Sequence, residues 1–169
     1  MGAPPPDEQP DLLGVIAAAN HVGMPYVIIG GYAVIANQYI RGTEDVDLLI
    51  AEDRALDATV LEFLEQIEAH RDGQPIEPRA LREAETLRVS SRFGPVDLLR
   101  EGAPPLDFET VSDGAINLTY HGQPARVASL ASLVAFKRLS NRPRDQLDLV
   151  ELERIHGPLP IEPIAGLEA

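Results

Sequence analysis

Residues 26–50 read YVIIGGYAVIANQYIRGTEDVDLLI. Val27-Ile28-Ile29 is a short apolar run rich in β-branched residues, the composition of a buried strand. Gly30-Gly31 ends that run, and Tyr32 to Tyr39 has the pattern of a short helix. Val46, Leu48 and Ile50 then alternate with Asp45, Asp47 and Leu49, so a second strand begins at the acidic pair. On a strand, every second residue faces the same way. Asp45 and Asp47 therefore project side by side while Val46 turns into the core. Two like charges so close repel and raise each other's proton affinity unless a cation lies between them. A hard divalent ion with oxygen ligands, Mg²⁺ or Mn²⁺, suits that place.

The two ends of the stretch divide the labour. Gly30 and Gly31 let backbone N–H groups approach a ligand closely, and the helix after them offers its positive end to an anion. One end can hold phosphates and the other the metal that phosphates also bind. This is the logic of phosphoryl or nucleotidyl transfer, in which catalysis is mostly positioning and charge neutralisation. A Gly-x-x-x-x-Gly-Lys loop is absent, which excludes P-loop chemistry.

Composition narrows the setting. The chain of 169 residues suffices for one domain with a real core, or a small α/β domain with a helical appendage. It has no cysteine, so disulfide frameworks and thiolate metal sites are excluded. His21, His70, His121 and His156 are scattered, without the helical pairing of a zinc site. The net charge of −13 opposes broad binding to nucleic acid. The arginines cluster, however: Arg79, Arg82, Arg88, Arg92 and Arg100 mid-chain, then Lys137, Arg138, Arg142 and Arg144. Residues 1–10 lack the basic start and apolar core of a signal peptide, and no apolar run approaches transmembrane length. A cytoplasmic protein without a membrane partner is the expectation.

The rest of the chain reads as alternating helices and strands. Residues 1–10 are expected to be a disordered tail, 11–128 the core, 129–157 two C-terminal helices packed on it, and 158–169 a loose tail. Leu12 to Ala19 fits a first helix that ends near Gly23, and Arg54 to Ala69 an amphipathic one. Residues 71–79 read as a loop. Leu87 to Ser90 and Val96 to Leu99 read as strands joined by a turn at Phe93-Gly94-Pro95. A short helix is expected around Asp107 to Val111. Ile116–Tyr120 and Ala125–Val127 form edge strands or a hairpin about Gly122-Gln123-Pro124. Ser129 caps a helix reaching Leu139, and Pro143 opens a last helix that Gly157-Pro158 terminates.

Gly30-Gly31, Asp45-Val46-Asp47 and a later strand-borne carboxylate together resemble the nucleotidyltransferase superfamily that shares its fold with DNA polymerase β. Asp97, flanked by Val96 and Leu98, best fits the third carboxylate, with Glu85 and Asp107 as rivals. Gly30-Gly31-Tyr32-Ala33, Arg41-x-Thr43 and Phe136-Lys137-Arg138-Leu139, followed by Arg142-x-Arg144-Asp145-x-x-Asp148-Leu149, look like the small bacterial nucleotidyltransferases of the abortive-infection toxin type (AbiEii-like). These motifs span about residues 26–152.

The resemblance implies an α+β nucleotidyltransferase fold: a small mixed sheet flanked by helices, with a short C-terminal helical pair. It implies transfer of a nucleoside monophosphate from an NTP to an acceptor hydroxyl, with pyrophosphate released. Asp45 and Asp47 would hold two Mg²⁺ ions, and Asp97 would complete the second site. Gly30, Gly31 and Tyr32 would lie against the β and γ phosphates. Arg41 and Thr43 would touch the triphosphate or pin the loop before the acidic strand, and Lys137 would reach a phosphate as a point charge. Asp148 reads as a helix-surface partner of Arg142 and Arg144, whereas Asp145 stays open between such a pair and the site. The implied acceptor is a macromolecule, tRNA or protein, for a toxin with an antitoxin partner. The alternatives are a small hydroxylated molecule such as an aminoglycoside or lincosamide, or a nucleotide-binding module without turnover.

Overall fold

The two strands expected on either side of Gly30-Gly31 lie at the centre of a mixed sheet. The computed structural model describes residues 9–83, 85–100 and 104–160. Helix α1 (Leu12–Val22) leads into β1 (Val27–Ile29), α2 (Gly30–Ala36) and β2 (Val46–Leu49). A 3₁₀ turn at Arg54–Leu56 precedes α3 (Asp57–Gln66), then β3 (His70–Arg71), β4 (Gln74–Pro75) and α4 (Ala80–Glu83). Next come β5 (Thr86–Val89), β6 (Val96–Leu99), α5 (Phe108–Asp113), β7 (Ile116–Tyr120) and β8 (Gln123–Val127). The described chain closes with α6 (Leu130–Ser140) and α7 (Pro143–His156). The fold is α+β, with a six-stranded sheet in the order β5-β6-β2-β1-β8-β7.

Two registers fix the chemistry. β1 and β2 pair antiparallel, opposing Ile29 to Asp47, so the Gly pair follows directly from the residue beside an acidic one. β2 and β6 pair parallel, and Asp47 stands level with Asp97. Val46 and Leu48 are buried, as the alternation requires, but Leu49 on the Asp47 face is buried too. The central strand is therefore covered on both faces except at its acidic end.

Several elements depart from the sequence expectations. α2 begins at Gly30 and ends at Ala36, where Asn37 turns its side-chain amide onto the Ala33 carbonyl at 2.8 Å. The expected long helix over 54–69 divides at Asp57, after the Asp53 carboxylate accepts from the Ala55 N–H. The expected loop over 71–79 contains a hairpin, β3–β4, whose turn residues Asp72 and Gly73 have φ of 51° and 75°. That is the left-handed turn a two-residue hairpin demands. Of the tails expected to be loose, residues 1–8 and 161–169 lie outside the described residues. Pro10 is buried, and its carbonyl accepts a 2.8 Å bond from the Tyr32 hydroxyl. Among the described residues no helix is long and apolar enough to cross a membrane.

The C-terminal helices are locked to the core by a charged clasp. Lys137 of α6 donates to Asp145 Oδ1 at 3.2 Å and lies 2.7 Å from Asp148 Oδ2, both on α7. Arg41, in the loop before β2, forks onto the same Asp148 with Nε at 2.8 Å and Nη2 at 2.9 Å. Asp148 thus pairs with Arg41 and Lys137, not with Arg142 or Arg144 as expected. Its position on α7 faces inward, where solvated arginines at the helix start cannot follow. Asp145 does accept from Arg142, at 2.9 Å. Lys137, Asp145 and Asp148 are 5%, 1% and 2% exposed. Burial alone would push the Asp145 carboxyl up; the bonds from Arg142 and Lys137 outweigh that and hold it below the usual carboxylate range.

Removing one member of a buried charged network strands the others. Asp148→Ala is expected to lower the unfolding free energy by about 3–5 kcal/mol, read from the urea midpoint. A loss below about 1 kcal/mol would mark these pairs as solvent-screened.

Candidate active site

Gly30 sits at the mouth of the site because nothing larger fits. Its φ is +67°, a value that favours glycine, and a Cβ there would lie 2.0 Å from Asp47 Oδ2. A Cβ on Gly31 would lie 2.4 Å from Thr43 Oγ1. The Gly pair therefore packs its backbone directly against the acidic strand and the loop that precedes it. Thr43 Oγ1 donates to the Asp45 carbonyl at 3.1 Å, which pins that loop.

Asp45, Asp47 and Asp97 converge. Each offers one carboxylate oxygen, and the three oxygens all lie within 4.8 Å of one another. Among the described residues this is the group of carboxylates and imidazoles suited to a metal. The rivals for the third position are elsewhere: Asp107 caps α5 by accepting from the Thr110 N–H at 3.2 Å, and Glu85 lies with Glu52, Arg82 and Arg100. Burial, then the negative charges of Asp45 and Asp97, push the Asp47 carboxyl up to about 8. An acid so reluctant to ionise marks a place short of positive charge, and three converging oxygens fit a hard divalent cation.

Arg88 supplies part of that charge. Its Nε donates to Asp97 Oδ1 at 2.9 Å, and its Nη2 to Asp45 Oδ2 at 2.9 Å and Asp97 Oδ2 at 3.2 Å. In the sequence Arg88 stands within a cluster of arginines and on an expected strand, with no partner indicated. The missed signal was alternation: Arg88 sits between Leu87 and Val89 on one strand as Asp97 sits between Val96 and Leu98 on the next, and the two are cross-strand partners.

The triad lines a cleft of about 340 Å³. Gly30, Gly31, Arg41 and Thr43 line it too, with Phe136, Lys137, Ser140, Arg142 and Arg144 from the C-terminal helices and the turn between them. Arginines and a lysine thus crowd a cleft in a chain of net charge −13. Two of the implied nucleotide contacts have other partners here. The Tyr32 side chain lies outside the cleft, bound to Pro10. With α2 starting at Gly30, residue 32 is rotated about 200° around the helix from it. Lys137 lines the cleft, but its ammonium holds Asp145 and Asp148 and is not a free point charge. Arg41 likewise reaches the cleft while forked onto Asp148.

No protein-family model matches the sequence, and no curated protein matches it. Solved structures do. The lincosamide antibiotic adenylyltransferase LnuA, in its lincomycin-bound crystal structure, is 16% identical with a TM-score of 0.58, covering 91% of this chain and 99% of that one. ANT(2'')-Ia in complex with adenylyl-2''-tobramycin is 16% identical with a TM-score of 0.55, covering 85% and 84%. An antigenic nucleotidyltransferase-like protein from Paracoccidioides brasiliensis is 20% identical with a TM-score of 0.56, covering 86% and 76%. The fold is that of the nucleotidyltransferases. At these identities the likeness establishes the fold.

Asp47 yields a pH signature. Its folded pKa is raised, so the proton it holds stabilises the metal-free protein. That contribution is complete below the unfolded value of 3.8 and is lost as pH rises through about 8. Without divalent ions, the wild type is expected to melt several degrees lower at about pH 9 than at about pH 6, relative to Asp47→Asn. Identical pH profiles for the two proteins would contradict the crowding of the triad.

Proposed function

We propose that this chain is a metal-dependent nucleotidyltransferase that moves a nucleoside monophosphate from an NTP to an acceptor hydroxyl. The convergence of Asp45, Asp47 and Asp97 beside the Gly30 backbone carries this reading. The nucleotidyltransferase fold supports it.

In this reading the triphosphate enters the cleft with its β and γ phosphates over Gly30 and Gly31. The exposed Arg142 and Arg144 on the opposite rim balance its charge. Lys137 acts through Asp145 and Asp148: it fixes α7, and so the cleft's width, and keeps Arg41 aimed inward. A bound Mg²⁺ or Mn²⁺, held by Asp45, Asp47 and Asp97, would neutralise phosphate charge and lower the pKa of the acceptor hydroxyl. The acceptor oxygen forms its bond to the α-phosphorus, the bond from that phosphorus to the α,β-bridging oxygen breaks, and pyrophosphate leaves. Asp97 takes the hydroxyl proton.

The acceptor we favour is a small hydroxylated cation. The chain's charge of −13 suits one, and Glu44, Asp45 and Asp72, with Arg71 and Arg88, line a hollow that shares Asp45, Thr86 and Arg88 with the nucleotide cleft. The structures of LnuA and ANT(2'')-Ia hold lincomycin and an adenylylated tobramycin. A macromolecular acceptor, tRNA or protein, with a toxin role and an antitoxin partner, rested on the pattern from Lys137 to Asp148. Lys137, Asp145 and Asp148 of that pattern form a buried clasp, so this part of it has a folding reason and does not choose between acceptors.

The test is incubation with α-labelled NTPs and Mg²⁺ or Mn²⁺ against aminoglycosides, lincosamides, total tRNA and protein. Label is expected on a cationic small molecule. Asp47→Asn is expected to lose at least about a hundredfold in rate while keeping its circular dichroism. Label on tRNA or protein would restore the macromolecular acceptor; an Asp47→Asn variant as active as wild type would remove the transferase reading.

A further inference from the structure

The triad already holds a cation that belongs to the chain. The Arg88 guanidinium spans the two outer carboxylates, engaging both oxygens of Asp97 and one of Asp45. No bond from it reaches Asp47, which is left with the unrelieved proton affinity described above. The arrangement is written into the sheet. β5 lies at the sheet edge, its residues alternate in and out, and Arg88 stands opposite Asp97 in the β5–β6 register.

The two ends of these ion pairs differ in solvation. The Arg88 side chain is 70% exposed, against 23% for Asp45 and 16% for Asp97. Exposed ion pairs are weak, and a guanidinium leaving them returns to water at little cost. The carboxylates have no such escape. A divalent ion held by all three carboxylates needs an Asp97 oxygen, and Arg88 engages both of them; two cations cannot share that space without strong repulsion.

We propose that Arg88 is a resident counter-cation that a divalent metal must displace. The proposal rests on the reading of the triad as a metal site. In the metal-free protein Arg88 is a positioning residue: it keeps Asp45 and Asp97 converged against their mutual repulsion. It also sets a threshold, because an ion must outcompete it before loading. Displaced, Arg88 stays in the cleft that Gly30 and Gly31 also line, where a phosphate is its next partner. Metal loading is thereby coupled to nucleotide arrival: the nucleotide offers Arg88 a new anion as the ion takes the old ones. A static cross-strand pair bracing β5 to β6 would instead leave Arg88 in place when the ion binds.

The experiment uses the full chain without nucleotide. Mn²⁺ is titrated calorimetrically into wild type, Arg88→Gln and Arg92→Gln. Arg92 pairs with exposed Glu68 and lies over the Phe93 ring, so its variant carries the same change in charge away from the triad. Arg88→Gln is expected to bind Mn²⁺ about tenfold more tightly than wild type, the effect of removing two exposed pairs of ordinary strength, and Arg92→Gln equally to wild type. In parallel, the arginine Nε–H resonance missing from Arg88→Gln identifies Arg88 by NMR. On saturation of wild type with Mg²⁺ that resonance is expected to shift and exchange with solvent. An Arg88→Gln affinity no higher than wild type, or an unmoved resonance at saturating Mg²⁺, would overturn displacement while leaving the metal site standing. Failure of both wild type and Arg88→Gln to bind either ion would overturn the metal reading and this proposal together.

Discussion

Two parallel strands in register force Asp47 and Asp97 side by side, and the residue two before Asp47 adds a third carboxylate. Much of the surrounding structure answers that repulsion. Asp47 answers by holding its proton up to about pH 8. Asp45 and Asp97 answer by sharing the guanidinium of Arg88. Gly30 answers by lacking a side chain, since any Cβ there would collide with the Asp47 carboxylate. A fold concerned only with stability has no reason to assemble such a cluster and then surround it with compensations. The arrangement makes sense when a cation and an anionic ligand arrive together.

The second charged assembly has the opposite character. The clasp of Arg41, Lys137, Asp145 and Asp148 is internally paired, with Arg41 half-buried and the other three buried. It joins the loop before the acidic strand to helices contributed from the far end of the chain. The same helices and the turn between them bring Arg142 and Arg144 to the cleft. The triad is crowded with like charge; the clasp is satisfied.

The triad and the Gly pair could be read from the sequence because their logic is local. Strand alternation places Asp45 with Asp47, and the flanks of Asp97 announce another strand. The role of Arg88 depends on the pairing of β5 with β6, although the symmetric spacing of 88 and 97 about Arg92-Phe93 holds the signal. The Arg41–Asp148 pair joins residues 107 apart in sequence, and no periodicity reports such a contact. Lys137 was read as a phosphate contact because its burial is a tertiary fact. The direction of Tyr32 follows helix phase: starting α2 at Gly30 instead of Tyr32 turns that side chain to Pro10. The Asp72-Gly73 hairpin carried a turn signal, but its flanks lack the apolar alternation that announces strands.

The account stands on the claim that Asp45, Asp47 and Asp97 hold a divalent ion beneath a bound triphosphate. Crystals grown with Mn²⁺ and a non-hydrolysable NTP analogue test this directly through anomalous scattering. The account predicts an anomalous peak at coordination distance from oxygens of all three aspartates and from the triphosphate. A nucleotide seated in the cleft with no peak among these carboxylates, or a peak coordinated elsewhere, would contradict it.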